Sequence, residues 1–495
     1  MVKEAVENNN KKIGLLCHIT SLPSKYGIGD LGEECFKFVD FLKNNNFNVW
    51  EILPLNKINE CNCPYGTISA FAFEELLIDL QPFVDNGVLS KSEVLPLTKL
   101  SKDNVDFKSV RTIKTKLLDD VYDRYGKNYM PKIGQFFAEN KEIYDYCVFA
   151  GLKNYFHVKD WRDFPAKIRV CDRTAIQSIF SQIKDDVYKY GYLQMVFCDQ
   201  LAKVKAYAKQ NCVEILGDVP IYCEPTSCDV WAYSKFFKLD KDLNPKCYGG
   251  VPGYMANGAQ NWGTCIYNWN ALKKCGYSWW VDRICHLLKF YDILRIDHFV
   301  GIVKHYEIPA NAKDIDGHKW VSGGGEDFLN ILFKKVPKKC LVAEDFGDGP
   351  KECQKIIEKY GIKSMRVALY GFDSDDKNTH LPHNLKRNSI YYIGTHDSGT
   401  LESFVQNLNK EQRQRVIDYF GLNKNSDNDA IFDAIVKSVL NSKSDFVIFR
   451  TQDLFREDDS RRMNFPGVAK GQWEYRIDKN YEKLYRKYNV LGLCK

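Results

Sequence analysis

Eight short runs of apolar, β-branched and aromatic residues recur along the chain, each closed by polar or glycine residues, and they limit the fold more than any other feature. They lie at 13–19, 48–55, 213–222, 291–297, 338–345, 364–370, 389–395 and 444–451. A strand wetted on one face alternates apolar with polar residues, whereas a near-continuous apolar run is the pattern of a parallel strand covered on both faces. Amphipathic segments precede some of the runs, 202–210 before the third and 279–289 before the fourth. Eight buried strands interleaved with helices predict a (β/α)8 TIM barrel.

The spacing is uneven. About 160 residues separate the second run from the third, far more than one crossover helix needs. The chain is therefore read as a single catalytic barrel over 1–495 with large inserted helical and loop subdomains. A mainly helical insertion is expected at 82–205, after the second strand, and a lid and subsite insertion at 223–280, after the third.

The first barrel loop contains KYGIGDLGEE, whose GIGDLG matches a dinucleotide-binding turn with Glu51 placed as the ribose acid. Seven residues, 20–26, separate its glycines from the preceding strand. A pyrophosphate turn leaves its strand directly, so the cofactor reading fails. Asp30 is instead expected to cap the following helix, with Glu33 completing a capping box. The basic and acidic residues, 70 against 64, are spread without a basic block, which argues against nucleic acid. No apolar stretch reaches the length of a membrane span, and MVKEAVENNNKK has no apolar targeting core, so a cytoplasmic chain is expected. Seventeen scattered cysteines fit buried thiols in a reducing compartment. Cys61-Asn-Cys63 has no matching second pair or histidine spacing, and no metal is expected.

In such a barrel the chemistry lies at the C-terminal strand ends, and here these ends are acidic. The third carries Asp218, the fourth Arg295-Ile296-Asp297, the fifth Glu344-Asp345 and the seventh His396-Asp397. A period of two puts Arg295 and Asp297 on one face, where the guanidinium would keep Asp297 ionised. One such pair is more often a structural ion pair; four strands offering carboxylates at one end are not explained by stability. Retaining glycosyl transfer needs an ionised nucleophile and a protonatable acid/base about 5 Å apart, roles that fit Asp297 and Glu344. Asp397, with His396, would hold sugar hydroxyls. Sugars also pack their CH faces on aromatic rings, and Tyr65, Tyr254, Trp262, Tyr267 and Trp269 are candidate platforms. The glycines around Tyr254 and Trp262 suggest a mobile lid that excludes water.

The ordered series HITSLPSKYGIGDLG, CPYGTISAFA, GDVPIY, LRIDHFVG, VAEDFG, GFDSDDKNTHLPHN, GTHDSGT and MNFPG resembles the amylomaltases, the 4-alpha-glucanotransferases or disproportionating enzymes of the alpha-amylase clan, over nearly the whole chain. The resemblance implies Asp297 as nucleophile, Glu344 as acid/base and Asp397 as transition-state stabiliser, with Arg295, His396 and Asp218 completing the site. It implies transfer of α-1,4-glucan segments between maltooligosaccharides, without cofactor or metal, and is silent on oligomeric state. Two rival readings are an α-glucan hydrolase on the same scaffold and a glucan-binding protein that has lost catalysis. The lid, GGVPGYMANGAQNWG, is shorter and less charged than the family's usual pattern, and MNFPGV stands for MNTPGT. These departures bear on acceptor preference and on the balance of transfer against hydrolysis.

Overall fold

The computed structural model describes residues 11–254, 258–346, 351–468 and 470–492. Every apolar run contains a strand: β1 (Lys12–Leu16), β2 (Val49–Glu51), β3 (Glu214–Val219), β4 (Ile293–Ile296), β5 (Leu341–Ala343), β6 (Lys363–Val367), β7 (Ser389–Tyr392) and β8 (Phe446–Arg450). Each lies parallel to its neighbour in sequence, and β8 pairs with β1 from Lys12↔Phe446 to Leu16↔Arg450, which closes the barrel. The strands are shorter than the runs because flanking apolar residues, such as Ile52 and Leu53 after β2, are buried in the loops that cover the barrel mouth. Gly217 in β3 admits a close neighbour: a Cβ there would stand 2.5 Å from Cγ of Tyr291.

The long interval between β2 and β3 is helical, with the principal helices at Phe107–Arg124, Met130–Glu139, Lys141–Phe156 and Phe180–Gln210. The last has 31 residues, spans about 46 Å and leads within three residues into β3. It is therefore both the spine of the insertion and the crossover helix of the barrel, so the expected boundary at 205 falls inside it. The insertion is fastened by polar contacts at its base. Gln194 takes the amide of Phe73 at 2.8 Å and donates to its carbonyl at 2.7 Å.

The region expected to form a lid holds a second sheet, which the sequence reading did not foresee. Cys247–Val251 and Gln260–Cys265 form a hairpin, extended by Lys304–Pro309 and Lys319–Ser322 from the segment after β4. Four short, polar and glycine-rich strands drawn from two separate insertions carry little periodicity, so only their pairing reveals them. The glycines serve that pairing rather than mobility: a Cβ on Gly250 would stand 2.1 Å from the Gln260 carbonyl oxygen. Residues 255–257, at the centre of the expected lid, lie outside the described residues.

The capping box also differs from expectation. The helix Glu33–Asn44 is capped by Gly32, with no side-chain cap. Asp30 is buried and accepts the Gly32 amide at 3.3 Å, and burial pushes its pKa up to about 6 against the charge of the buried Lys114.

Candidate active site

The parallel register brings the acidic strand ends together. Asp218 on β3 is the Cα partner of Arg295 on β4, and the ladder continues through Arg295↔Val342 and Ile296↔Ala343 to β5. Beyond the paired residues the Asp297 amide donates to Val219 (3.0 Å) and the Glu344 amide to Ile296 (3.1 Å), so both carboxylates leave the barrel from adjacent strands at one level.

Arg295 is the hub. Its Nη1 lies 2.5 Å from Asp218 Oδ2, and its Nη2 lies 3.2 Å from Asp297 Oδ1 and 3.0 Å from Glu344 Oε1. Tyr65 donates its hydroxyl to Asp218 Oδ2 at 2.6 Å. Arg295 and Asp218 are both 2% exposed and neither lines the cleft. They hold Asp297, Glu344 and Tyr65, which do line it.

The expectation that Arg295 keeps Asp297 ionised does not survive the geometry, because the guanidinium is divided among three carboxylates. Asp297 and Glu344 are both drawn to the same guanidinium nitrogen. Burial and the Glu344 charge push the Asp297 carboxyl well above the usual range. Burial would raise Glu344 too, but Arg295, the neighbouring Asp297 and the His298 amide, 2.5 Å from Oε2, hold it below. The two environments thus push the carboxyls apart, Asp297 up and Glu344 down. His298 reaches that position in the left-handed region, at φ 44°.

Across the cleft, Asp397 accepts from Asn464 Nδ2 at 2.6 Å and lies 3.5 Å from His396 Nε2. Its backbone carbonyl accepts from Arg462. The His396 ring stacks on Tyr65 at 5.1 Å between centroids. Burial lowers the His396 pKa, which keeps the imidazole neutral. Asp297, Glu344, Asp397, His396 and Tyr65 all line one cleft of about 460 Å³, within the size range of small-ligand sites.

The aromatic candidates divide. Trp262 lines the cleft and meets His298 edge-on at 4.8 Å. Tyr254 does not line it: the ring is 69% exposed and its hydroxyl accepts from Trp320 Nε1 at 2.8 Å on the side sheet. Tyr267 and Trp269 are buried core residues. The sequence reading gave no role to Tyr222, Asn464 or Trp473, which also line the cleft. Asn464 stands in the quoted MNFPG and was within reach of that reading; nothing in the sequence marks Trp473.

Beneath this layer Glu51, at the end of β2, is 3% exposed and accepts from the Tyr392 hydroxyl at 3.0 Å. Burial pushes its pKa up to about 8. It faces the barrel interior and not a nucleotide.

Comparison with known proteins agrees with this layout. The sequence pattern of the 4-alpha-glucanotransferase family matches residues 17–481. The chain belongs to the 4-alpha-glucanotransferase family. It is therefore a glucanotransferase with the (β/α)8 fold described above. The 4-alpha-glucanotransferase of Aquifex aeolicus is 32% identical over 94% of this chain and 96% of its own length. The chloroplastic/amyloplastic 4-alpha-glucanotransferase of Solanum tuberosum is 32% identical over 95% and 83%. The amylomaltase of Streptococcus agalactiae, solved in complex with acarbose, superposes with a TM-score of 0.91 at 28% identity, covering 97% of this chain and 99% of that one.

Proposed function

We propose that the chain transfers α-1,4-glucan segments between maltooligosaccharides by a retaining double displacement, with Asp297 as nucleophile, Glu344 as acid/base and Asp397 as stabiliser of the transition state. The observation that carries this reading is the pair of carboxylates, Asp297 and Glu344, that leave adjacent strands, lie 3.2 and 3.0 Å from one guanidinium nitrogen of Arg295 and line the same cleft as Asp397. Retaining chemistry needs such a pair, with one carboxylate ionised and one protonated.

A proton passes from Asp297 to Glu344 as the donor glucan enters. An Asp297 oxygen then attacks the anomeric carbon, the bond to the glycosidic oxygen breaks, and that oxygen takes the Glu344 proton. The segment is held as an ester on Asp297. Glu344, now ionised, takes the proton of the acceptor's 4-hydroxyl, whose oxygen attacks the same carbon and releases Asp297. Asp397, aimed by Asn464, binds ring hydroxyls while the oxocarbenium character is greatest. Trp262 and Tyr65 offer apolar faces to the sugar rings. We place this activity in the cytoplasm; the described cysteines are all free thiols, which supports a reducing compartment.

Incubation with maltotriose tests the reading. A ladder of longer maltooligosaccharides plus glucose is expected, and glucose with maltose alone would show a hydrolase instead. Asp297→Asn is expected to lower turnover by at least about 10⁴-fold while calorimetry still detects oligosaccharide binding.

A further inference from the structure

The stretch His18-Ile19-Thr20-Ser21 follows β1 on the catalytic face and has no part in the chemistry above. It carries three polar side chains, all at least nine-tenths buried: His18 is 5% exposed, Thr20 6% and Ser21 0%. His18 Nδ1, Thr20 Oγ1 and Ser21 Oγ each find no hydrogen-bond partner among the described residues. An unsatisfied buried polar atom costs about 1–3 kcal/mol, so three in four successive residues require an account.

Two small cavities meet at His18. One, of about 20 Å³, is lined by His18 and Ser21 on one side and by His396, Thr395 and Arg450 on the other. The second, also about 20 Å³, is lined by His18 and Thr20 together with Asn56, Glu74 and Trp473. A water needs roughly 10–15 Å³ of such space and two to four polar partners. Both cavities meet the size requirement for one water; the walls are mostly apolar, and in the first the polar groups include His18, Ser21, Thr395 and Arg450. His396 lines both the first cavity and the cleft, and its Nε2 lies 3.5 Å from Asp397 Oδ2.

We propose that His18 is a positioning residue for His396, acting through a water held in the cavity the two imidazoles share, which Ser21 also lines. The bridge fixes the orientation and tautomer of His396, so that Nε2 presents a proton towards Asp397 and the bound sugar. Burial and the neighbouring imidazole push the His18 pKa down to about 3, so it is neutral and can both donate and accept in such a bridge. Displacing a cleft group by an ångström costs up to about 10²-fold in rate, which sets the size of the effect sought.

The inference rests on His396 belonging to the active site, and His396→Ala tests that separately. Maltotriose disproportionation is measured for His18→Leu, His18→Gln, Ser21→Ala, His396→Ala and the His18→Leu/His396→Ala double variant, with melting curves to confirm folding. His18→Leu is expected to lower kcat by about 10- to 100-fold with KM within about twofold. His18→Gln, which keeps a donor and an acceptor, is expected to restore most of that rate, and Ser21→Ala to lose less than His18→Leu. In the double variant the His18 effect is expected to vanish, because there is no imidazole left to orient. Equal loss in His18→Gln and His18→Leu, additive losses in the double variant, or wild-type kcat in His18→Leu would each overturn the proposal. Should His18→Leu fail to fold, the Ser21→Ala rate with and without His396 decides by the same criterion. Wild-type activity in His396→Ala would overturn the site assignment itself.

Discussion

Glu51 shows how one residue reports on the barrel's interior. It lies in the field of Arg295 and Asp218, yet burial dominates and raises its pKa from 4.5 to about 8. The folded chain therefore keeps a proton that the unfolded chain releases above pH 4.5. A group whose folded pKa is raised loses its contribution as pH climbs, so stability falls through the window from about 4.5 to about 8. Glu51→Gln removes that titration. The melting temperature of the variant minus that of the parent is expected to grow from pH 5 to pH 8 in a thermal-shift series. A constant difference would mean that Glu51 is ionised in the fold. Arg295 teaches a related lesson. Its position two residues before Asp297 announces a pairing, but the number of carboxylates sharing it depends on β3 and β5, which no local pattern supplies.

Among the elements, the barrel strands were legible and the side sheet was not. Each barrel strand is covered on both faces, so its composition alone identifies it. The lid hairpin is held by close backbone approach, with Gly250 against the Gln260 carbonyl, and bears Trp262 towards the cleft. Gly250→Val places atoms where that carbonyl lies and is expected to separate the hairpin at a local cost of about 1–3 kcal/mol. Because the hairpin hangs outside the barrel, the global melting temperature should change little while KM for maltooligosaccharides rises several-fold. A large fall in melting temperature with unchanged KM would show that the sheet supports the barrel and not the substrate. Asp30 belongs to this scale too: Asp followed three residues later by Glu reads as a capping box, but Asp30 is buried short of the helix start, within the field of the buried Lys114 of another element.

At the scale of the molecule, that lysine lies where the insertion meets the barrel. Lys114, on the helix Phe107–Arg124, is fully buried, its Nζ has no hydrogen-bond partner among the described residues, and burial outweighs the attraction of Asp30, Asp79 and Glu74 and lowers its pKa. A buried ammonium without a close partner costs stability, and an apolar side chain of similar length removes that cost. Lys114→Met is expected to raise the urea midpoint. A lowered midpoint in Lys114→Met would mean that the lysine charge holds the insertion to the barrel. The sequence by itself determined the number, order and burial of the barrel strands and the strand ends that carry Asp218, Asp297, Glu344 and Asp397, because covering a strand on both faces and seating acidic groups at one end leave marks in consecutive residues. The tertiary structure alone decided that Arg295 serves three carboxylates, that burial pushes Asp297 up while Glu344 is held down, that Tyr254 points away from the cleft while Asn464 reaches into it, and that two insertions build one sheet. Those outcomes depend on which distant segments meet, on how far each group is desolvated and on how a limited set of charges and donors is shared, none of which is encoded in the spacing of neighbours.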